Sequence, residues 1–414
     1  MSPFRFVHAA DLHLDSPLIG LRRRAEGYAG RIETASRAAF DNLIALAIDE
    51  GCRLLLIAGD VFDGQWRDYR TGLFFADRMG RLRKAGVAVV MIAGNHDAEN
   101  RFAAGLPLTD NARLLSSRAP ETVVFDDIGV AVHGQSFPQR DVRENIARAY
   151  PPPLDGRFNI GLLHSACTGR DGHEPYAPCT VEQLAAHGYQ YWALGHVHAH
   201  EILASEPPIV FSGNLQGRSI RETGVKGAML VAVDDGQVSR IEHRPLDLVR
   251  WAVERVSIAG IAERTEVLIA VSAAVERALA AADGRGLAVR LRLIGATPLH
   301  AELAATEAAL GEEIETLVAG LGDDVWIERI ELRTAPPPFA GKPIDPSLGG
   351  RLRRCLADLA ADPWLAERLQ VRVNEVRAKV PAGARVDALI AELDSEALEA
   401  AQALAAAMIE HGGA

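Results

Sequence analysis

Residues of the types that bind divalent metal ions recur in five short groups along the first 200 residues of the chain. They are carboxylates, imidazoles and one amide: Asp11 with His13, Asp60, Asn95, His164, and His196 with His198. Such ligands, without any thiolate, suit manganese, iron, zinc or magnesium in a catalytic site rather than a structural zinc finger. Seven ligands are too many for one catalytic ion that must keep a coordination position open. We therefore expect two ions, the arrangement that promotes in-line displacement at phosphorus.

Each group follows a short apolar run of the kind that forms a buried strand. The runs cover residues 4–10, 54–58, 87–93, 160–163 and 191–194, and helix-like segments at 35–50 and 71–84 separate the first three. Alternating strands and helices predict an α/β fold, and in such folds ligands bind outside the carboxyl ends of the strands. The five groups are therefore expected to meet in one crevice.

As motifs, the five groups resemble those of a known superfamily. DxH at Asp11, GDxxD at Asp60, GNHD at 94–97, the lone His164 and GHxH at His196 occur in that order in calcineurin-like metallophosphoesterases. Within that superfamily the chain is similar to the SbcD-type double-strand-break repair nucleases, in particular the bacterial YhaO branch. The resemblance covers residues 1–245 and implies a layered α/β/β/α metallophosphoesterase core.

The resemblance also implies a role for each residue. One metal ion is expected on Asp11, His13, Asp60 and His198, and the other on Asp60, Asn95, His164 and His196. Asp60 is then the bridge. His96 is expected to act as a catalytic residue that stabilises the phosphoryl group or protonates the leaving oxygen, and Asp97 is expected to orient its ring. The role of Asp63 stays open between substrate placement and a structural turn.

A second polar stretch, residues 213–222, follows another apolar run near the expected crevice. Arg218 and Arg221 in this stretch are candidates for contact with DNA phosphates. An equally good interpretation is that both arginines form ion pairs with acidic neighbours. Four further histidines are read as structural, and these are His8, His133, His187 and His200.

The motifs of metal-binding residues that follow apolar runs stop after the first 245 residues. Residues 246–335 are predicted to form a small α+β cap domain, with strands at 251–256, 287–294 and 325–332 and helices at 261–282 and 298–319. A proline-rich connector then leads into a C-terminal helical region at 336–414. This region either packs on the cap or docks a partner, and the resemblance implies an SbcC-like, YhaN-type ATPase as that partner. No GxxxxGK[ST] motif occurs here, so an ATP-driven step would need such a partner.

The composition is that of an ordinary globular protein. The chain has 414 residues, 48% hydrophobic and 24% charged, with no apolar run long enough for a membrane span and no pattern of a secretory signal, so we expect a cytoplasmic protein. Its four cysteines form no CxxC pair and are expected to be reduced. The net charge of −11 is unusual for a protein that binds DNA by itself, although bound metal ions offset carboxylates locally.

Together these features predict a hydrolase with two divalent ions, manganese being expected and iron, zinc or magnesium remaining open. The predicted reaction is hydrolysis of DNA phosphodiester bonds by a metal-bridging hydroxide, as in a repair exonuclease or endonuclease. Small phosphodiesters or nucleotides are an alternative substrate, and a scaffold for an ATPase on DNA ends is an alternative of another class. The sequence is compatible with a homodimer.

Overall fold

The computed structural model describes residues 1–16, 18, 34–63, 70–99, 108–168 and 174–337. Its first sheet has six strands in the order β12-β11-β1-β2-β3-β4. The strands are β1 (Phe4–Ala9), β2 (Leu54–Ala58), β3 (Ala88–Ile92), β4 (Ala112–Leu114), β11 (Gly227–Asp234) and β12 (Gln237–Pro245). Strands β1 to β4 run parallel, whereas β11 pairs with β1 in the antiparallel sense.

A second six-stranded sheet has the order β5-β6-β7-β8-β10-β9. Its strands are β5 (Glu121–Phe125), β6 (Val130–Gly134), β7 (Phe158–His164), β8 (Tyr191–Gly195), β9 (Glu201–Ser205) and β10 (Pro208–Phe211). The central strands β6, β7, β8 and β10 are parallel, and β5 and β9 close the edges in the antiparallel sense.

The two sheets pack face to face, with helices on their outer sides. Alternate residues of β1 divide between two cores: Phe6 points into the apolar layer between the sheets, and Val7 points toward the helices. Helices α1 (Ala35–Asp49) and α2 (Arg70–Lys84) cover the first sheet, and the short α3 (Val181–Ala185) covers the second. The arrangement confirms the predicted layered α/β/β/α fold.

A third sheet has three strands in the order β13-β14-β15: β13 (Val249–Ser257), β14 (Gly286–Ala296) and β15 (Val325–Ala335). Helices in this part of the chain are α4 (Arg264–Ala282), α5 (His300–Ala305) and α6 (Glu307–Ala319). The single helix predicted at 298–319 is thus two helices, because Thr306 between them leaves the helical conformation with φ −118° and ψ 26°. Arg264 of α4 pairs with Glu313 of α6 at 2.9 Å.

The chain divides into two compact units. One comprises 1–253, 278–289 and 324–328, and the other comprises the remaining residues from 254 onward. The predicted division at 1–245, 246–335 and 336–414 stays a prediction, and nearly all of the C-terminal helical region lies outside the described residues. Among the described residues, no helix is both long and apolar enough to cross a membrane.

Candidate metal centre

The carboxyl ends of parallel strands from both sheets meet at one place in the first unit. The predicted ligands there are Asp11 and His13 after β1, Asp60 after β2, Asn95 after β3, His164 at the end of β7, and His196 and His198 after β8. Strand register aligns these ends, since Ala58 pairs with Ile92 and His164 pairs with Gly195. The structure brings all seven side chains together, and their role as metal ligands stays a prediction.

Glycines in the motifs provide the space that the ligands occupy. A Cβ atom at Gly94 would collide with the Asp60 carboxylate and the His164 imidazole. At Gly195 a Cβ atom would collide with the carbonyl oxygen of Ala58. The glycine that precedes the polar residue in GN and GH is therefore required by close packing, and this explains the form of these motifs.

Four of the predicted ligands have a left-handed backbone, with φ of 51° at Asp11, 42° at His13, 53° at Asp60 and 96° at His196. Residues other than glycine rarely adopt this conformation, and backbone strain of this kind gathers at functional sites. Two hydrogen bonds tie the strained turns together: Asp11 N donates to Gly59 O at 3.0 Å, and His13 N donates to Asp60 O at 3.1 Å.

The first group of ligands lies around Asp11. The Nε2 atoms of His13 and His198 are 3.4 Å apart, and His198 Nε2 lies 3.9 Å from Asp11 Oδ1. These three residues can each offer one ligand atom, with all of the atoms within 4.8 Å of one another. All three are buried or half-buried. The group has the composition of a metal position with one carboxylate and two imidazoles.

The second group lies around His164. Its Nε2 atom is 3.0 Å from Asn95 Oδ1 and 3.6 Å from Asp60 Oδ2. The His196 ring lies beside the His164 ring, with 5.2 Å between centroids. Because Asp60 Oδ2 is also 4.0 Å from His13 Nε2, Asp60 stands between the two groups. One carboxylate with access to both groups is the arrangement expected of a bridging ligand.

Buried polar atoms at this site lack the partners that they need within the described protein. Asp11 Oδ1 and His13 Nδ1 are buried and accept or donate no hydrogen bond. Burial raises the pKa of both Asp11 and Asp60, and at Asp11 the Asp60 carboxylate adds to the effect. Two buried carboxylates side by side are costly without a cation, so the residues present fit divalent metal ions.

Hydrogen bonds at the far side of three imidazoles determine which ring nitrogen carries the lone pair that a metal ion would need. His164 Nδ1 lies 2.8 Å from Ala58 O, and His196 Nε2 lies 3.0 Å from Glu174 O, so each of these nitrogens donates to a carbonyl. His198 Nδ1 lies 2.9 Å from Glu222 Oε1. The nitrogens left with a lone pair are therefore Nε2 of His164, Nδ1 of His196 and Nε2 of His198.

His96 stands beside the two groups with a different partner from the one expected. Its Nδ1 atom lies 2.9 Å from Asp63 Oδ1, and Asp63 is held in turn by the Ser16 hydroxyl at 2.7 Å. The hydrogen bond from His96 lowers the pKa of Asp63 to about 2. Burial opposes a charged His96 ring, but the Asp63 hydrogen bond and the Asp60 charge raise the pKa of His96. Asp63 is thus an orienting carboxylate for His96.

Asp97 has a different position from the one predicted for an orienting residue. Its carboxylate accepts hydrogen bonds from the backbone N–H groups of Val61, Phe62 and Gly94, at 2.9 to 3.1 Å. These bonds connect the turn after β2 with the turn after β3. The expectation that Asp97 orients the His96 ring is therefore corrected: the carboxylate at that ring is Asp63, and Asp97 braces the loops that carry Asp60 and Asn95.

A cavity of about 690 Å³ opens over the ligand groups. Asp60, Asn95 and His96 line it together with four cationic side chains, which are those of Arg140, Arg218, Arg221 and Lys226. Arg218 pairs with Glu222 at 3.3 Å and lies 3.7 Å from Asp63, so the ion-pair reading applies to Arg218. Arg221 is exposed at the cavity, and its contact with substrate stays a prediction.

Comparisons with known proteins agree with this site. Residues 4–200 match the family model described as calcineurin-like phosphoesterase, and residues 251–335 match the one described as the middle domain of metallophosphoesterase YhaO. The chain is 33% identical over 357 residues to the protein named uncharacterized metallophosphoesterase YhaO of Bacillus subtilis. The matched residues make up 84% of this chain and 86% of that protein. The chain belongs to the calcineurin-like metallophosphoesterases.

Two other relatives of this metallophosphoesterase carry names that refer to DNA repair or nuclease activity. The DNA double-strand break repair protein Mre11 of Methanopyrus kandleri is 31% identical over 212 residues, 47% of this chain and 44% of that protein. A component of the SbcCD nuclease of Bacillus subtilis is 32% identical over 106 residues, 25% of each chain. The family membership establishes a hydrolase of phosphoester bonds with a metal-binding site.

Proposed function

We propose that this metallophosphoesterase hydrolyses phosphodiester bonds of DNA with two bound divalent ions. The observation that carries the proposal is the position of Asp60, whose Oδ2 atom lies 3.6 Å from His164 Nε2 and 4.0 Å from His13 Nε2. A carboxylate between two groups of ligands supports a pair of ions rather than one. Relatives named as a DNA repair protein and as part of a nuclease support DNA as the substrate.

The protein side chains around the proposed ions have distinct roles in hydrolysis. When bound, two divalent ions activate a water molecule and neutralise the charge of the phosphoryl group. Hydrolysis adds the water oxygen to phosphorus, breaks the bond to the leaving oxygen and requires a proton on that oxygen. His96 lines the cavity with its Nδ1 atom engaged by Asp63, and we propose that its Nε2 atom donates to a phosphoryl or leaving oxygen.

The cavity also offers charge for a polyanionic substrate. Arg140 and Arg221 are exposed on its wall, which suits contacts with phosphates that flank the scissile bond. These contacts set the position of the strand but carry no sequence information. We expect hydrolysis that depends little on base sequence.

The name of one relative, a component of the SbcCD nuclease, supports a multisubunit assembly for this chain as well. We propose an ATPase as the partner, with the C-terminal helical region as the docking segment. That region lies outside the described residues, so the proposal rests on the relative and on the sequence pattern. A truncation after residue 337 that still binds its ATPase would contradict it.

The experiment that tests the function compares substrates on one preparation. Protein stripped of metal and reloaded with manganese is assayed on linear duplex DNA, single-stranded DNA and a small phosphodiester, with Asp60→Asn as the blank. Hydrolysis of DNA that is absent from Asp60→Asn supports the proposal. Hydrolysis of the small ester alone makes that ester class the substrate, and no hydrolysis of any substrate, even with the ATPase present, supports a scaffold.

A further inference from the structure

Glu222 is a buried carboxylate beside the metal centre that the ligand motifs do not include. Only 13% of its side chain is exposed. Its Oε2 atom accepts hydrogen bonds from Arg218 N at 2.7 Å and from Asn214 Nδ2 at 2.9 Å. Its Oε1 atom faces His198 Nδ1 at 2.9 Å and Arg218 Nη2 at 3.3 Å. Four donors therefore hold the carboxylate in one orientation.

That orientation defines the chemical form of His198. A carboxylate accepts hydrogen bonds and donates none, so the hydrogen on the imidazole must be on Nδ1. The lone pair is then on Nε2, the atom that lies 3.4 Å from His13 Nε2 and 3.9 Å from Asp11 Oδ1. A carboxylate at the far nitrogen also holds a ligating ring in one orientation.

The backbone of His198 is held by the same loop that carries Glu222. Lys226 Nζ donates to His198 O at 2.8 Å, and Asn214 N lies 3.4 Å from the same oxygen. We refer to residues 214–226 as the clamp loop. Both the ring and the backbone of His198 therefore depend on this one segment.

The two imidazoles of the second group, His164 and His196, are oriented in a different way. His164 and His196 donate to the backbone carbonyls of Ala58 and Glu174, which no side-chain substitution removes. These two histidines belong to the group around Asn95, whereas His198 belongs to the group around Asp11. The support from a side-chain carboxylate is thus specific to one of the two metal positions.

We propose that Glu222 is a positioning residue for one metal position only, the one formed by Asp11, His13, Asp60 and His198. The inference rests on the two-ion centre of the proposed function, but it makes no use of DNA. It implies that the two positions differ in how their affinity responds to substitution. Glu222 and the clamp loop control the first ion, whereas the backbone carbonyls of Ala58 and Glu174 orient the imidazoles of the second.

Manganese binding to metal-free Glu222→Gln tests this proposal. The substitution keeps the volume of the side chain but removes the charge that orients His198. We expect one ion to bind with unchanged affinity and the other to bind about 10- to 100-fold more weakly. His198→Ala should weaken the same single ion, and His164→Ala should weaken the other one. Glu144→Gln, an exposed carboxylate elsewhere in the first unit, is the matched control.

Two results overturn the proposal: both affinities unchanged in Glu222→Gln, or both reduced together. The second would mean that Glu222 supports the fold of the whole centre. A readout without any variant is the nitrogen NMR spectrum of the imidazoles in metal-free wild-type protein, where His198 should carry its hydrogen on Nδ1. Hydrogen on Nε2 contradicts the proposal even if Glu222→Gln does not fold.

The metal-binding measurements distinguish an error in the proposed function from an error in the role proposed for Glu222. Wild-type protein that binds two manganese ions but does not cleave DNA leaves the role of Glu222 intact. Wild-type protein that binds fewer than two ions contradicts the two-ion centre, and with it the selective effect of Glu222.

Discussion

At the scale of single residues, the centre separates side chains that can hold ions from one that can act on the substrate. Asp60 and His164 lie within the predicted ligand groups, whereas His96 lines the cavity and is held by Asp63, although one atom of its ring also lies within 4.8 Å of ligand atoms of His13 and Asp60. Removal of a residue from either set should stop the reaction, but for different reasons. The metal content of the variants distinguishes the two.

His96→Ala is expected to keep both ions and to lower turnover by about 10²- to 10⁴-fold, the usual effect of losing a general acid. His164→Ala is expected to lose metal as well as turnover. The measurement is metal content by elemental analysis together with the turnover rate. Asp63→Asn is expected to lower turnover by less than His96→Ala, because the His96 ring remains while the carboxylate that orients it is lost. Ions missing from His96→Ala would disprove the division of roles.

The ligand residues could be predicted from the sequence because each follows an apolar run directly and lies in a short motif. The residues that orient them could not. Glu222 is 24 residues from His198, and Asp63 is 33 residues from His96, so both contacts depend on how distant loops fold together. Glu222 ends the polar stretch at 213–222, but nothing in that stretch distinguishes it from any other loop carboxylate.

At the scale of elements, the strands that carry ligands were predicted nearly to the residue. β2 has the predicted bounds of 54–58, and β1 and β3 end one residue earlier than expected. Strands β4, β5, β6, β9 and β10 and the helix α3 were not predicted. They have three to five residues of mixed polarity or lie beside turns, or, as in β6, carry a buried His133 that interrupts the apolar pattern. Periodicity is weak evidence over so few residues.

Packing between β7 and β8 leads to a prediction at this scale. Gly161 pairs with Trp192 in register, and a Cβ atom at Gly161 would collide with the indole ring. Gly161→Ala is expected to lower the free energy of unfolding by about 1–3 kcal/mol, as overpacked cores do. Urea denaturation measures it.

Gly80→Ala is the matched control for this substitution. Gly80 lies within α2, and among the described residues no atom beyond its chain neighbours and the backbone of its own helix comes within 4 Å of the position that its Cβ would take. The change should be neutral or should stabilise the helix, by up to about 1 kcal/mol. Equal destabilisation by the two substitutions would show that the Trp192 contact is not the cause.

A buried histidine in β1 makes stability depend on pH. His8 lies between Tyr191 Oη and Leu194 O, both at 3.1 Å, and burial lowers its pKa to about 3. Between pH 6.5 and about 3, the unfolded chain therefore takes up a proton that the folded chain does not. His8 should reduce stability as the pH falls, by at most about 1.4 kcal/mol per pH unit.

The measurement compares unfolding of the wild type and His8→Gln between pH 4.5 and 6.5, a range chosen on the basis of this pKa shift. The free energy of the wild type should fall more steeply toward low pH than that of the variant. Other groups, such as His243 with a pKa lowered by burial to about 4, contribute to both proteins and cancel in the difference. Parallel curves would contradict the assignment.

At the scale of the whole molecule, the charge distribution restricts how the chain meets DNA. The net charge is −11, although arginines line the cavity. Affinity for duplex DNA comes largely from cations that displace counterions, so the isolated chain should bind weakly, with a dissociation constant above about 1 μM at physiological salt. Fluorescence anisotropy at two salt concentrations measures it. Tight binding with a steep dependence on salt would contradict this expectation.

The fold of the first unit was predictable because its motifs and its alternating elements agree with each other. For the later residues the sequence predicted the three strands and the first helix, but not how the strands pair. The compact units divide the chain at 253 and return residues 278–289 and 324–328 to the first unit, and no local composition change marks these two returning segments. Such boundaries depend on which distant strands pair, and the sequence pattern contains no signal for that choice.

Ligands contributed by both sheets give the ions a mechanical role. Asp11, Asp60 and Asn95 belong to the first sheet, and His164, His196 and His198 belong to the second, so each proposed ion cross-links the two halves of the sandwich. An ion at 100 times its dissociation constant adds about 2.7 kcal/mol of stability. Chelation should therefore lower the melting temperature of the wild type in calorimetry but not that of Asp60→Asn, and an equal response would contradict it. Loss of metal would then weaken the packing between the two sheets and also abolish hydrolysis.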